Sequence, residues 1–117
     1  MHVVITGASH GIGAASALAF ANLPGARLTL VARREQMLKA VAGQCRELGA
    51  AAQVVTCDVT DADKVSQMAA SAVQWAGTPA VLLNNAGRFA PSTVAETPVA
   101  EFLDQISVNL VSAYLVT

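Results

Sequence analysis

Charge is scarce in this sequence. Asp, Glu, Lys and Arg make up 13% of its 117 residues, and the net charge is -1. The basic residues are scattered apart from Arg33-Arg34, so there is no electrostatic footprint for nucleic acid or an anionic membrane surface. Aromatics are rarer still, at 4%. The two cysteines, Cys45 and Cys57, have no Cys-x-x-Cys spacing and no histidine cluster beside them. That leaves no metal-ligand pattern and implies reduced, buried thiols in a cytoplasmic protein. Uncharged apolar stretches are interrupted by Gly, Pro, Asn or Thr, and Met1-His2-Val3 leads straight into an apolar run; neither a signal peptide nor a membrane anchor is expected. No internal repeat, low-complexity tract or linker is present.

What the chain has in excess is apolar side chains, 54% of the total. One domain of this size can build a core from them, and some of that burial is expected to need further protein. His2 to Thr6 is short, charge-free and β-branched, the pattern of a strand covered on both faces of a parallel sheet. Ile12 to Leu23 reads as a helix of small residues stopped by Pro24-Gly25. Arg27 to Ala32 is a second strand. Arg34 to Leu48 is an amphipathic helix with Leu38, Val41, Cys45 and Leu48 on one face, and Ala52 to Cys57 is a third strand. Thr60-Asp61-Ala62-Asp63 opens a helix that buries Val65, Met68, Ala69, Ala72 and Ala76. Ala80 to Leu83 is a fourth strand, and a last helix starts at Thr97-Pro98 with proline in its first position. This βαβαβαβα order implies an α/β fold, a Rossmann-like doubly wound parallel sheet of strand order 3-2-1-4, with residues 1–117 forming one dinucleotide-binding domain.

The unusual residues fall at the carboxyl ends of the strands. Thr6-Gly7-Ala8-Ser9-His10-Gly11-Ile12-Gly13 joins the first strand to the first helix. Gly7 lets the chain turn sharply, Gly11 removes a side chain where a pyrophosphate approaches backbone, and Gly13 lets helix and strand pack closely. The helix N-terminus then offers unpaired N–H groups to an anion. A tight turn without a ligand is the plain alternative. After the second strand, Ala32 stands where an acid would bind the ribose 2'-hydroxyl of NAD. Arg33 follows, and its guanidinium fork suits the 2'-phosphate of NADP, with His10 as a further donor. NADP is therefore expected ahead of NAD. Arg34 reads as a solvated residue opening a helix. Asp58 can accept from an adenine amino group with the Val59 backbone at the ring edge, or act only as a turn acid. Asn84-Asn85-Ala86-Gly87 brings two amides to the crevice, at least one of them in a structural role.

These segments together with Val108-Asn109-Leu110, in this order and at these separations, resemble the short-chain dehydrogenase/reductase family over nearly the whole chain. The resemblance implies hydride transfer between NADP(H) and a small-molecule carbonyl or secondary alcohol. It implies that Gly7, Ser9, His10, Gly11, Ile12 and Gly13 form the cofactor turn, that Arg33 is the NADP-binding arginine, and that Asp58 and Val59 contact adenine. Asn84, Asn85, Ala86 and Gly87 would stabilise the sheet and line ribose and nicotinamide. Asn109 matches the family's catalytic asparagine, which kinks its helix and holds a water in a proton relay. A homo-oligomer formed through the last helix is a further expectation of the resemblance.

Members of that family carry a serine and a Tyr-x-x-x-Lys pair beyond the asparagine, and neither is found among these 117 residues. Tyr114 lies on the same helix as Asn109, which suits packing in the core or a subunit interface rather than proton donation; Ser107 and Ser112 share that helix. The chain alone is expected to be the inactive cofactor-binding half of an NADP-dependent oxidoreductase, incomplete at its C-terminus. The alternative is a non-catalytic NADP-binding or interaction module of the same fold. An open edge on the fourth strand, with apolar Leu110, Val111, Leu115 and Val116 on the last helix, points to aggregation or loose packing of the isolated chain.

Overall fold

A computed structural model describes residues 1–117. Its four strands, β1 (His2–Thr6), β2 (Arg27–Ala32), β3 (Ala51–Thr56) and β4 (Val81–Leu83), form one parallel sheet in the order β3-β2-β1-β4. Val3 sits between Leu28 and Val81 across the sheet. All five residues of β1 are buried, as its β-branched, charge-free sequence requires of a central parallel strand. Alternate side chains go to opposite layers. Val3, Ile5, Leu28 and Leu30 pack with Ala17, Ala21, Leu38, Val41 and Cys45 from α1 (Gly11–Ala21) and α2 (Glu35–Glu47). Val4 and Val31 face the other way, onto Val65, Met68 and Ala72 of α3 (Ala62–Ala76). Both cysteines are free and buried.

The element order is the expected one, and the differences lie at the ends. Helix α1 stops at Ala21, two residues before Leu23, and the Asn22 side chain turns back onto the Leu18 carbonyl. Arg34 is the N-cap of α2 rather than its first residue, and Leu48, past the last turn, is 46% exposed instead of buried. Strand β3 starts one residue early and ends at Thr56. In α3 the cap is Asp61, whose side chain accepts from the Asp63 and Lys64 N–H groups, rather than Thr60 as a Thr60-to-Asp63 capping box would have it, since Thr60 is turned onto Asp58; Ala69 faces solvent. Pro98 has ψ 147, which makes it an N-cap and moves the helix start to Val99.

The last helix is continuous but not uniform. It runs as α4 (Val99–Ile106), a π-turn over Ser107–Val111, and α5 (Ser112–Val116). By length and composition alone Val99–Val116 is apolar enough to cross a membrane, with a mean hydropathy of 1.2, although Glu101, Asp104 and Asn109 interrupt it. Its C-terminal turn packs Leu115 and Val116 against the α3 layer. Tyr114 is 81% exposed, so it does not pack in the core.

Candidate functional site

A cleft of about 490 Å³ opens at the carboxyl ends of β1, β2 and β3 and beside the segment after β4. Its wall begins with the turn between β1 and α1. Gly7 and Gly11 have φ of +66 and +56, a region that side-chain-bearing residues rarely adopt. A Cβ on Gly13 would run into the Gly7 carbonyl oxygen, so the close packing of α1 on the turn depends on its absence. The Ala8 N–H donates to the Val31 carbonyl at 3.2 Å, which ties the turn to β2. His10 caps α1 with extended backbone, no side-chain hydrogen bond to the helix, and no acid in the first turn. The leading N–H groups of α1 are therefore left to an outside acceptor.

A threonine fastens this turn to the segment after β4. The Thr6 hydroxyl accepts from the Asn85 and Ala86 N–H groups at 3.1 and 3.0 Å and donates to the Leu83 carbonyl at 3.4 Å. From the other side, Asn85 Nδ2 donates to the Thr6 and Gly7 carbonyls at 3.2 and 3.3 Å. Asn85 thus braces the turn from beneath and lies outside the cleft lining, while Ala86 and Gly87 are in it. Asn84 points away, its amide on the Thr117 hydroxyl at 3.0 Å.

Five charged residues line the cleft: Arg33, Arg34, Asp58, and the ion-paired Arg88 and Asp104. Arg33 and Arg34 both line the cleft at the end of β2, where Ala32 contributes no carboxylate. Asp58 lines it from β3, and one of its oxygens accepts from both the Thr60 hydroxyl at 2.7 Å and the Thr60 N–H at 3.0 Å. The Thr60 hydroxyl bond, then the Thr60 N–H, and more weakly the Arg33 charge hold the Asp58 carboxyl below its usual range. Turn acid and cleft acid are here the same residue. Cys57 also borders the cleft, and burial pushes its thiol up, with the charges of Asp58 and Asp61 adding to the effect.

Of the residues singled out in the sequence, Gly7, Ser9, His10, Arg33, Asp58, Val59, Ala86 and Gly87 converge on the cleft. Ser9 Oγ and His10 Nδ1 are 3.0 Å apart there. Gly11 and Gly13 shape the turn without lining the cleft, and Ile12 is 77% exposed beside it. Asn109 sits behind Gly87: its Oδ1 accepts from the Arg88 N–H and its Nδ2 donates to the Arg88 carbonyl, both at 2.8 Å. Where the resemblance implies a kink, the helix has a π-turn with Asn109 at its centre. Sequence reasoning assigned no role to Thr6, Thr60 or Arg88 and gave Arg34 to solvent. Thr6 and Thr60 each stand beside a residue that was singled out, and a hydroxyl next to a turn is the available signal.

The profile of the short chain dehydrogenase family matches residues 1–117. The chain belongs to that family. It is 40% identical over 114 residues to a protein of Streptomyces violaceoruber whose name is that of a granaticin polyketide synthase ketoacyl reductase, covering 97% of this chain and 42% of that one. Among solved structures, a metagenomic short-chain oxidoreductase in complex with NADP superposes with a TM-score of 0.92 at 36% identity, over 99% of this chain and 52% of that one. NAD+-bound xylitol dehydrogenase superposes with a TM-score of 0.93 at 31% identity, over 98% of this chain and 44% of its own. The chain thus spans about half the length, or less, of the relatives it matches. The donor set fits the nicotinamide dinucleotides these neighbours hold: an uncapped helix N-terminus, a turn whose Gly11 has nothing within 4 Å of a would-be Cβ, and the Arg33 and Arg34 guanidinium groups at the end of β2, besides the ion-paired Arg88.

Proposed function

We propose that this chain is the NADP-binding portion of an oxidoreductase that moves a hydride between NADP(H) and a carbonyl or secondary alcohol. The observation that carries the cofactor choice is the end of β2, where Ala32 offers no acid to a ribose 2'-hydroxyl and Arg33 and Arg34 both face the cleft. A guanidinium fork pairs with a phosphate through two parallel charge-assisted hydrogen bonds. In this reading the turn residues Gly7, Ser9, His10, Gly11, Ile12 and Gly13 receive the pyrophosphate, Asp58 and Val59 the adenine, and Ala86 and Gly87 the nicotinamide ribose. Asn85 holds the turn they share, and Asn109 stands at the nicotinamide end. When bound, NADPH supplies the hydride; the proton that the reduced carbonyl oxygen requires needs a donor, and Tyr114, 81% exposed, does not line the cleft. These residues are therefore assigned to holding and orienting the cofactor, in a protein that acts on a small molecule and assembles with copies of itself.

Titration of the chain with NADPH and NADH, followed by nucleotide fluorescence, tests the reading. NADPH should bind at least about tenfold more tightly, one phosphate contact being worth on the order of a kcal/mol or more. Arg33→Ala should remove most of that preference while leaving NADH unaffected. Equal affinities in the unaltered chain would overturn the assignment of Arg33. NADP binding with no NADPH consumption against a panel of ketones, in the chain joined to a relative's remaining segment, would favour a non-catalytic module.

A further inference from the structure

Arg88 has two separate sets of partners. Its backbone N–H and carbonyl are both held by the Asn109 amide at 2.8 Å. Its guanidinium reaches α4, with Nη2 donating to Glu101 Oε1 at 2.6 Å and Nη1 to Asp104 Oδ2. One residue of the segment after β4 is therefore clasped by three positions of the last helix. In an unbroken α-helix the residue stacked over Asp104 is Val108, four positions on. Val108 does line the cleft with Asp104, and the π-turn over Ser107–Val111 is the stretch from which the Asn109 amide, one residue further on, meets the Arg88 backbone. The displaced backbone groups of the π-turn are satisfied, since the Ser112 N–H donates to the Ser107 carbonyl and the Ser112 hydroxyl to the Val108 carbonyl.

We propose that Arg88 is a positioning residue for Asn109: its guanidinium fork, closed on Glu101 and Asp104, selects the π-turned form of the helix in which the Asn109 amide reaches the Arg88 backbone. The proposal rests on the functional reading above only for the meaning of Asn109. A single exposed ion pair holds little, but a planar fork bonded to two carboxylates one turn apart fixes the direction of the helix as well as its distance. Glu101 is also steadied along the helix by the Gln105 amide at 3.5 Å.

The test is made on the full chain without nucleotide, so that its outcome is independent of whether NADPH binds. The readout is proton exchange at the Asn109 side-chain amide, resolved by nitrogen-15 NMR. Arg88→Met should speed that exchange at least about threefold, because a hydrogen-bonded amide becomes a solvated one, while the β1 amides Val3 to Thr6 keep their shifts. Arg88→Lys keeps the charge without the fork and should give an intermediate rate. The double variant Glu101→Gln with Asp104→Asn, which keeps the surface shape, should match Arg88→Met and carries the same test if that variant folds poorly. An unchanged Asn109 exchange rate with a lowered melting temperature would make Arg88 a stabilising surface residue only and overturn the proposal.

Discussion

Two glycines of this chain make opposite predictions at the same substitution. A Cβ on Gly13 would collide with the Gly7 carbonyl oxygen and lie 2.5 Å from Asn85 Nδ2, so Gly13→Ala must push α1 off the turn. It should cost on the order of 3 kcal/mol in urea unfolding, as overpacking against backbone does. Gly43, inside α2 with nothing within 4 Å of a would-be Cβ, should instead gain about 0.5–1 kcal/mol as alanine. Asp58 supplies a pH dependence. Its folded carboxyl is held below the usual 3.8, so the folded state binds its proton less readily than the unfolded one. That contribution to stability is complete above the unfolded value and is lost as pH falls through the lower folded value. Thr60→Val removes the largest cause, and its unfolding midpoint should fall less steeply than that of the unaltered chain between about pH 5 and pH 2. Parallel curves would show that the Thr60 hydroxyl does not hold the carboxylate.

Thr6 links two elements, and its loss should be felt by both. Its one hydroxyl receives the N–H groups of Asn85 and Ala86; in Thr6→Val these are left without a partner in a half-buried segment. A loss of about 2 kcal/mol is expected, in the range for stranded donors, and NADPH binding should weaken with it because the turn loses its brace. Strands and their order were legible in the sequence because β-branched runs such as His2 to Thr6 have no other stable home than a two-sided sheet. The helix ends were less so, since they depend on caps: Pro98 satisfies the pattern for a first helical residue yet takes an extended ψ. The same limit applies at the cleft. Arg33 and Asp58 could be placed there from their positions at strand ends, whereas the inward turn of the Asn85 amide and the clasp on Arg88 are made by contacts 78 and 21 residues apart in sequence. No local pattern records such distances.

The molecule as a whole leaves one side apolar and uncovered. Phe102, Leu103, Leu110 and Tyr114 are 55, 58, 64 and 81% exposed along the last helix, and β4 pairs on one edge only. Contiguous apolar surface of this kind associates. Light scattering of the isolated chain should rise with concentration, and Phe102→Glu with Leu110→Glu should suppress it. A sharp, reversible melt at a temperature independent of concentration would count against this. The sheet order has another consequence, in time rather than space. Strands β1, β2 and β3 pair through crossovers of ordinary length, but β4 reaches β1 only by closing the longest loop in the sheet, and the Thr6 to Asn85 bond spans 79 residues. Long loops close last. The turn between β1 and α1 can therefore form early and stay half-made until β4 docks, so that Thr6→Val should leave the refolding rate nearly unchanged and appear almost wholly as faster unfolding in stopped-flow measurements.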